Sequence, residues 1–543
     1  MNLTAFIDQI SRFIPKERIA QDPLRTLAYG TDASFYRLIP KAVIQTLDKG
    51  EIIQILQAAS TFQVPITFRA AGTSLSGQAI TEYVLLTLGN HWQGHRIFDD
   101  GLKIALQPGV IGAQANKYLA PYGRKIGPDP ASINAAKIGG IAANNASGMC
   151  CGTAQNTYHT VDSMKLILAD GSYVDTADKD STSNFRLTHA NLLKGLTELA
   201  QQVRNEPELV AKIRHKYRLK NTTGYAINAL IDFDDPLDIL QHLMIGSEGT
   251  LGFIAEIRYR TVEDAKHKAS ALMFFDSVNA ACEAVKTLKQ CPVAAVELMD
   301  WPALCSVRHH PTMAPIMTQL KKGCAALLVE TRGHDASQLK QQIDSINTAL
   351  ADDGINTTID YHFTTDSQLT SQYWAIRKGI FPAVGAIRAT GSTVLIEDVA
   401  YPVERLAEAV ADLHALFKQW HYHDAVIFGH ALEGNLHFVF PQSFDNEKEL
   451  QRYEGLMQAV TDMTVDSYQG SLKAEHGTGR NMAPFVEREW GTSAYRIMQQ
   501  LKALIDPQGI LNPGVILNDN PKVHLQNIKP LPAANPLIDL RIL

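Results

Sequence analysis

Two rhythms of apolar and polar residues divide the chain. From about residue 40 to 260, short apolar runs of strand character alternate with glycine-rich loops: AVIQTL (42–47), VPITFRA (64–70), YVLLTL (83–88), KIALQPGV (103–110), MKLILADG (164–171) and GFIAEIRYRTV (252–262). Runs of this length and β-branched content predict strands. Helical periodicity lies between them, as in EIIQILQAASTF (51–62), which follows the cap signal Asp48-Lys49-Gly50. After about residue 266 the pattern becomes strand–helix alternation. ASALMFF (269–275) leads through Asp276-Ser277, a helix cap, into VNAACEAVKTLK. AAVELMD, CAALLVETRG and TVLIEDVA are further strands, with helices such as ASQLKQQIDSINTALADD between them. Such units predict an α+β second domain whose helices cover one face of a sheet. A last helix, SAYRIMQQLKALI, leads into DPQGILNPGVIL, and the chain ends in a Pro-rich linker or extended tail. The expected boundaries are 1–265, 266–484, a returning segment 485–518, and the tail 519–543.

Composition narrows the class. The chain has 543 residues, 45% hydrophobic and 20% charged, which is ordinary for a multidomain globular protein. Its 50 Lys+Arg against 56 Asp+Glu leave a net charge of -6, which removes the electrostatic case for nucleic acid. No run of about 18 uncharged apolar residues occurs, so no transmembrane segment is expected. The N-terminal stretch MNLTAFIDQISRFIPKERIAQD is amphipathic, carries Asp8, and lacks the features of a secretory signal. Six cysteines without a C-x-x-C spacing, with Cys150 and Cys151 adjacent, fit neither a disulfide scaffold nor a zinc or iron–sulfur motif. The chain reads as cytoplasmic, with peripheral attachment to the inner membrane left open.

Three loops carry candidate chemistry. Phe68-Arg69-Ala70-Ala71-Gly72-Thr73-Ser74-Leu75-Ser76-Gly77-Gln78 follows a strand and can aim several backbone N–H groups at an anion. It is not a Walker loop, because no Lys-Ser/Thr follows the second glycine. Gly127-Pro128-Asp129-Pro130-Ala131-Ser132, then Ile138-Gly139-Gly140-Ile141-Ala142-Ala143-Asn144-Asn145-Ala146-Ser147-Gly148, lets backbone lie against a flat or charged ligand. Gly246-Ser247-Glu248-Gly249-Thr250-Leu251-Gly252 runs directly into a strand that includes Ile254. No G-x-G-x-x-G lies between a strand and a helix, which argues against a Rossmann site.

Read in order, Tyr29-Gly30-Thr31-Asp32-Ala33-Ser34, Arg69–Gln78, GPDPAS, IGGIAANNASG, GSEGTLGFIAEI and Leu511-Asn512-Pro513-Gly514 resemble the FAD-linked oxidase family. The resemblance, from about residue 29 to 517, is closest to FAD-containing D-lactate and other D-2-hydroxy acid dehydrogenases. It implies an α+β protein: a two-subdomain FAD-binding domain of vanillyl-alcohol oxidase type plus an α+β (ferredoxin-like) cap domain. It implies cofactor contacts at Arg69, Ala71–Gln78, Pro128, Asp129, Ser132, Gly139, Gly140, Ala143, Asn144, Asn145, Ser147, Gly148, Gly249, Ile254 and Asn512. The pyrophosphate loop holds no His or Cys, so the FAD is expected to be noncovalent.

In the second domain, Gly429-His430-Ala431-Leu432-Glu433-Gly434-Asn435-Leu436-His437 places two histidines around a turn. A hairpin there would bring His430 and His437 close enough to share a metal, and Ala474-Glu475-His476-Gly477 adds a carboxylate and a third imidazole. Two histidines and a carboxylate suit a divalent ion such as zinc or manganese. The resemblance implies that His430, His437 and Glu475 hold this metal, that His476 is the base at the substrate with His430 as runner-up, and that Arg377 of Tyr373-Trp374-Ala375-Ile376-Arg377 pairs with the substrate carboxylate. The chain departs from D-2-hydroxyglutarate dehydrogenases, which carry a Lys at the position of Ile396 and a Thr at that of Phe381. These departures favour a small apolar acid. His309-His310 has no recognised partner and reads as a surface feature.

The expected activity is oxidation of a D-2-hydroxy acid, D-lactate to pyruvate first, by hydride transfer to flavin N5. Alternatives are another D-2-hydroxy acid such as D-2-hydroxyglutarate, or a flavoprotein electron-relay subunit. The expected partners are a small 2-hydroxy acid and an electron acceptor (quinone, iron–sulfur module or partner protein), with a homodimer left open. No cysteine occurs beyond Cys324, so the stretch after it offers no thiolates for a cluster.

Overall fold

Asp48 accepts a hydrogen bond from the Glu51 N–H and starts the helix Lys49–Phe62, whose Ile52, Ile55, Leu56 and Ala59 form its buried stripe. That helix joins two parallel strands of a four-stranded sheet, in the βαβ arrangement that parallel pairing requires. The structure is a computed structural model describing residues 1–530; residues 531–543 of the Pro-rich tail lie outside the described residues.

The chain divides into two units, the first Met1–Glu263 with Glu475–Lys529, the second Asp264–Ala474. The return to the first unit thus begins at Glu475 rather than at 485, because the backbone of Glu475 and His476 is hydrogen-bonded into the loops of the first unit.

The first unit holds two sheets. One runs in the order β1 (Ile19–Ala20), β2 (Ala42–Thr46), β4 (Val84–Leu88), β3 (Ile66–Arg69). The other, antiparallel, uses β5 (His95–Phe98), β6 (Lys103–Leu106), β8 (Val161–Ile167), β9 (Tyr173–Asp175) and β10 (Phe253–Arg260), in the order β5-β6-β10-β8-β9. A short ribbon pairs β7 (Arg124–Lys125) with β11 (Val262–Glu263). The helix Val486–Ile505 buries Trp490, Ile497, Met498 and Leu501 in the same core as β6, β8 and β10, which fastens the returning segment.

The second unit is built on one antiparallel sheet: β12 (His267–Phe275), β13 (Ala295–Met299), β14 (Ala325–Gly333), β15 (Thr393–Ala400), β16 (Val426–His430) and β17 (Asn435–Gln442), in the order β12-β14-β13-β16-β17-β15. Ser277 accepts from the Ala280 N–H and caps the helix after β12. Helices cover both faces, not one as the sequence suggested. Leu272, Phe274, Ala326, Leu328, Val426 and Phe428 pack with Ile376, Ile380 and Val384 of the helix Ser367–Ile387. The alternate residues Ala271, Met273, Phe275, Ala325, Leu327 and Val329 are also fully buried, on the face of the helices Val278–Leu288 and Ala336–Asp352. Strands buried on both sides lose the hydrophobic alternation that would mark a half-exposed sheet.

Candidate active site

In the first unit the glycine-rich loops converge on one open cleft. Its wall includes Arg69, Ala71, Gly72, Thr73, Ser74, Leu75, Gln78, Ser132, Gly139, Gly140, Ala143, Asn144, Ser147, Gly249 and Ile254, all expected from the sequence. Glu475 and His476 line it as well. The remaining expected positions brace the loops from behind. The Ser76 carbonyl accepts from Arg480 and Asn481 N–H groups, and Gly77 packs on Tyr36. Asp129 accepts from the Cys150 and Cys151 N–H groups. Pro128 precedes it outside the cleft wall. Asn145 receives the Tyr158 N–H, and a Cβ at Gly148 would lie 1.9 Å from the Asp129 carbonyl oxygen. Asn512 ties three segments together: Nδ2 donates to the Gln78 and Glu248 carbonyls, and Oδ1 accepts from Thr67.

Polar contacts shape the cleft. Arg69 Nε donates to the Ala79 carbonyl at 2.8 Å, and burial lowers the pKa of its guanidinium. Lys137, which sequence reasoning missed, is the ammonium of the wall; it makes no ion pair among the described residues, and burial lowers its pKa. Leu88, Pro108 and Phe253 supply apolar surface. Loop backbone, apolar walls and one unpaired cation fit an elongated diphosphate-bearing group with a flat ring at its end.

The returning strap is fitted tightly to this cleft. Gln78 Nε2 donates to the His476 carbonyl at 2.8 Å, and Asn144 Nδ2 to the Glu475 carbonyl at 2.7 Å. Gly477 has φ of +82°, and a Cβ there would lie 2.1 Å from Asn144 Oδ1 and 2.6 Å from Glu248 Oε1, so glycine alone fits. The Glu475 carboxylate is buried, with Oε2 2.8 Å from Lys220 Nζ and 3.2 Å from Ser147 Oγ. Lys220 also donates to the Gly148 carbonyl.

In the second unit, β16 and β17 are joined by the turn Ala431–Glu433 and bring His430 and His437 together, with Nε2 atoms 3.3 Å apart. Both are buried. A tetrahedral zinc with bonds of about 2.0–2.1 Å would set its ligand nitrogens roughly 3.3 Å apart, so the pair fits one edge of such a site. Asp398, facing His437 on β15, has a carboxylate oxygen within 4.8 Å of a His437 ring nitrogen. Lys473 forms a buried ion pair with Glu397.

Arg377 is buried in the helix Ser367–Ile387, with its guanidinium 4.4 Å from the Phe428 ring centre. Glu297 on β13 joins it to the histidines: its carboxylate lies 2.7 Å from both Arg377 Nη2 and His430 Nδ1. One helical turn before Arg377, Trp374 Nε1 donates to Glu330 on the adjoining strand β14 at 2.7 Å. Phe381, Ile396 and Val439 belong to the apolar cluster on this face. His309 is exposed and interacts with Arg308, and His310 accepts the Thr312 N–H; neither joins the cluster.

Residues 40–177 match the FAD binding domain family, and residues 264–516 match the FAD linked oxidases, C-terminal domain. The chain belongs to the FAD-linked oxidase family. Among its relatives, the glycolate oxidase subunit GlcD of Bacillus subtilis is 26% identical over 90% of this chain and 91% of its own length. D-2-hydroxyglutarate dehydrogenase of Haemophilus influenzae is 24% identical over 92% of the chain, and the chain spans only 50% of that protein. D-lactate dehydrogenase (cytochrome), mitochondrial, of Arabidopsis thaliana is 25% identical over 88% of the chain and 74% of its own length. The fold is that of vanillyl-alcohol-oxidase-type proteins: p-cresol methylhydroxylase superposes with a TM-score of 0.66 at 12% identity, covering 95% of this chain and 97% of that one. This FAD-linked oxidase is thus a flavin-dependent oxidoreductase. Among the described residues, no helix is long and apolar enough to cross a membrane.

Proposed function

We propose that this FAD-linked oxidase converts a small, apolar D-2-hydroxy acid to the 2-oxo acid, with D-lactate as the leading substrate. The observation that carries this reading is the cluster on one face of the second unit: two imidazoles and an anchored guanidinium beside the apolar side chains Phe381, Ile396 and Val439. A monocarboxylate needs one guanidinium; a dicarboxylate would need a second cation where Phe381 and Ile396 stand.

Each residue has a task that follows from its chemistry. Arg377 presents a planar fork suited to the substrate carboxylate. His430 and His437, with Glu475 as third ligand, would hold a divalent ion, which would supply Lewis acidity toward the substrate hydroxyl. His476, on the wall of the flavin cleft, takes the hydroxyl proton. Bound FAD supplies the hydride acceptor at N5 for the C2 hydrogen. Lys137 and the N–H-bearing loop Gly72–Leu75 hold the diphosphate without a covalent tether: among the described residues no cysteine lines the cleft, and its one histidine is His476. Electrons then leave to a separate acceptor, a quinone or a redox protein.

Anaerobic mixing with D- and L-2-hydroxy acids tests the proposal. D-lactate should bleach the flavin absorbance fastest, ahead of glycolate, D-2-hydroxyglutarate and L-lactate. Faster bleaching by D-2-hydroxyglutarate would replace the substrate assignment, and no bleaching by any acid would refute the function.

A further inference from the structure

We infer that Glu297 is a positioning residue that sets the tautomer of His430 and the aim of Arg377 at once. The inference rests on the proposed hydroxy-acid oxidation and deepens it, because it couples the hold on a metal to the hold on the substrate carboxylate. Glu297 lies within β13, is fully buried, and is assigned no contact with metal or substrate.

An ionised carboxylate can only accept hydrogen bonds. Glu297 Oε1, 2.7 Å from His430 Nδ1, therefore requires Nδ1 to carry the proton. The lone pair is then on Nε2, the atom turned toward His437. Outer carboxylates of this kind orient metal-binding imidazoles and raise their basicity. The other oxygen, 2.7 Å from Arg377 Nη2, holds the guanidinium in a buried ion pair, and the Phe428 ring centre lies 4.4 Å from it. The ion pair and the ring contact together restrict where the fork can lie.

Glutamine in this place has one acceptor oxygen and one NH2 group. It can serve His430 or Arg377 but not both, because its NH2 would face another donor. Aspartate keeps the charge on a stem one methylene shorter and reaches both partners less well.

The experiment compares E297Q, E297D, R377M and E297Q/R377M in the FAD-loaded full chain. Zn2+ affinity is measured by chelator competition without substrate; KM and kcat for D-lactate are measured at saturating Zn2+. E297Q should weaken Zn2+ binding by about 10–100-fold. It should raise KM about tenfold, because the guanidinium loses its buried counter-charge, with a smaller change in kcat. In the R377M background E297Q should add nothing to KM. E297D should fall between wild type and E297Q on both measures. Wild-type Zn2+ affinity in E297Q, or equal KM increments in the two backgrounds, overturns the inference. If E297Q does not fold, wild-type Zn2+ affinity and KM in E297D overturn it instead. If the wild type oxidises no hydroxy acid, the functional proposal fails, and the Zn2+ measurement still decides the role of Glu297 toward His430.

Discussion

Lys220 Nζ lies 2.8 Å from Glu475 Oε2, and both side chains are buried within the first unit. The pair fastens the returning strap at the cleft wall, 255 residues along the chain from the lysine. Breaking one partner of such a pair costs far more than the pair contributes, because a charge is left buried. Lys220→Met should therefore destabilise the protein by about 3–5 kcal/mol. Adding Glu475→Leu should return part of that loss. Denaturant unfolding checks both; a single variant as stable as wild type would show that the carboxylate has other compensation.

His430→Ala and His437→Ala should each abolish metal binding and most turnover while leaving the flavin content unchanged, since the described residues that line the flavin cleft all belong to the first unit. Metal analysis and the absorbance of the purified variants measure this. Acid precipitation should release all the yellow colour to the supernatant. Normal activity in both variants after chelator treatment would rule out the metal, and colour left in the pellet would mean a covalent flavin.

Arg377→Lys should raise KM for the hydroxy acid more than it lowers kcat. The charge survives, but the fork and its contact with the Phe428 ring do not. Steady-state kinetics report the split; an unchanged KM would move the carboxylate site elsewhere.

His242 predicts a pH dependence. It is buried between Tyr158 and Phe233, and burial pushes its pKa down to about 4. Folding then favours the neutral ring, while the unfolded chain takes up a proton near pH 6.5. The unfolded state binds more protons between those values, so stability is fully present above pH 6.5 and falls as the pH drops toward 4. The loss reaches roughly 3 kcal/mol. In His242→Phe the difference in unfolding free energy between pH 7 and pH 4.5 should shrink by roughly 2–3 kcal/mol. An unchanged pH profile would place the acid sensitivity elsewhere.

Contiguous segments carried much of the chemistry on their own. The loops Arg69–Gln78, Ile138–Gly148 and Gly246–Gly252 could be read in order because backbone cradles demand small residues at fixed spacing, and the structure gathers them around one cleft. The His430–His437 approach was legible for a similar reason: a turn of fixed length sets the register of its own hairpin. The covering of the second sheet was not, since strands buried on both faces show no alternation to reveal what lies on each.

Glu297, Lys220 and Lys137 carry no local signature. Glu297 reaches His430 across 133 positions only because β13 pairs with β16, and Lys220 meets Glu475 only because the strap returns to the first unit. The sequence determined which loops could cradle a cofactor and which hairpin could pair two imidazoles, because those depend on neighbours along the chain. Only the tertiary structure decided which buried charges hold them, because a carboxylate or ammonium in a core is stable only beside a partner that long-range strand pairing and chain return deliver.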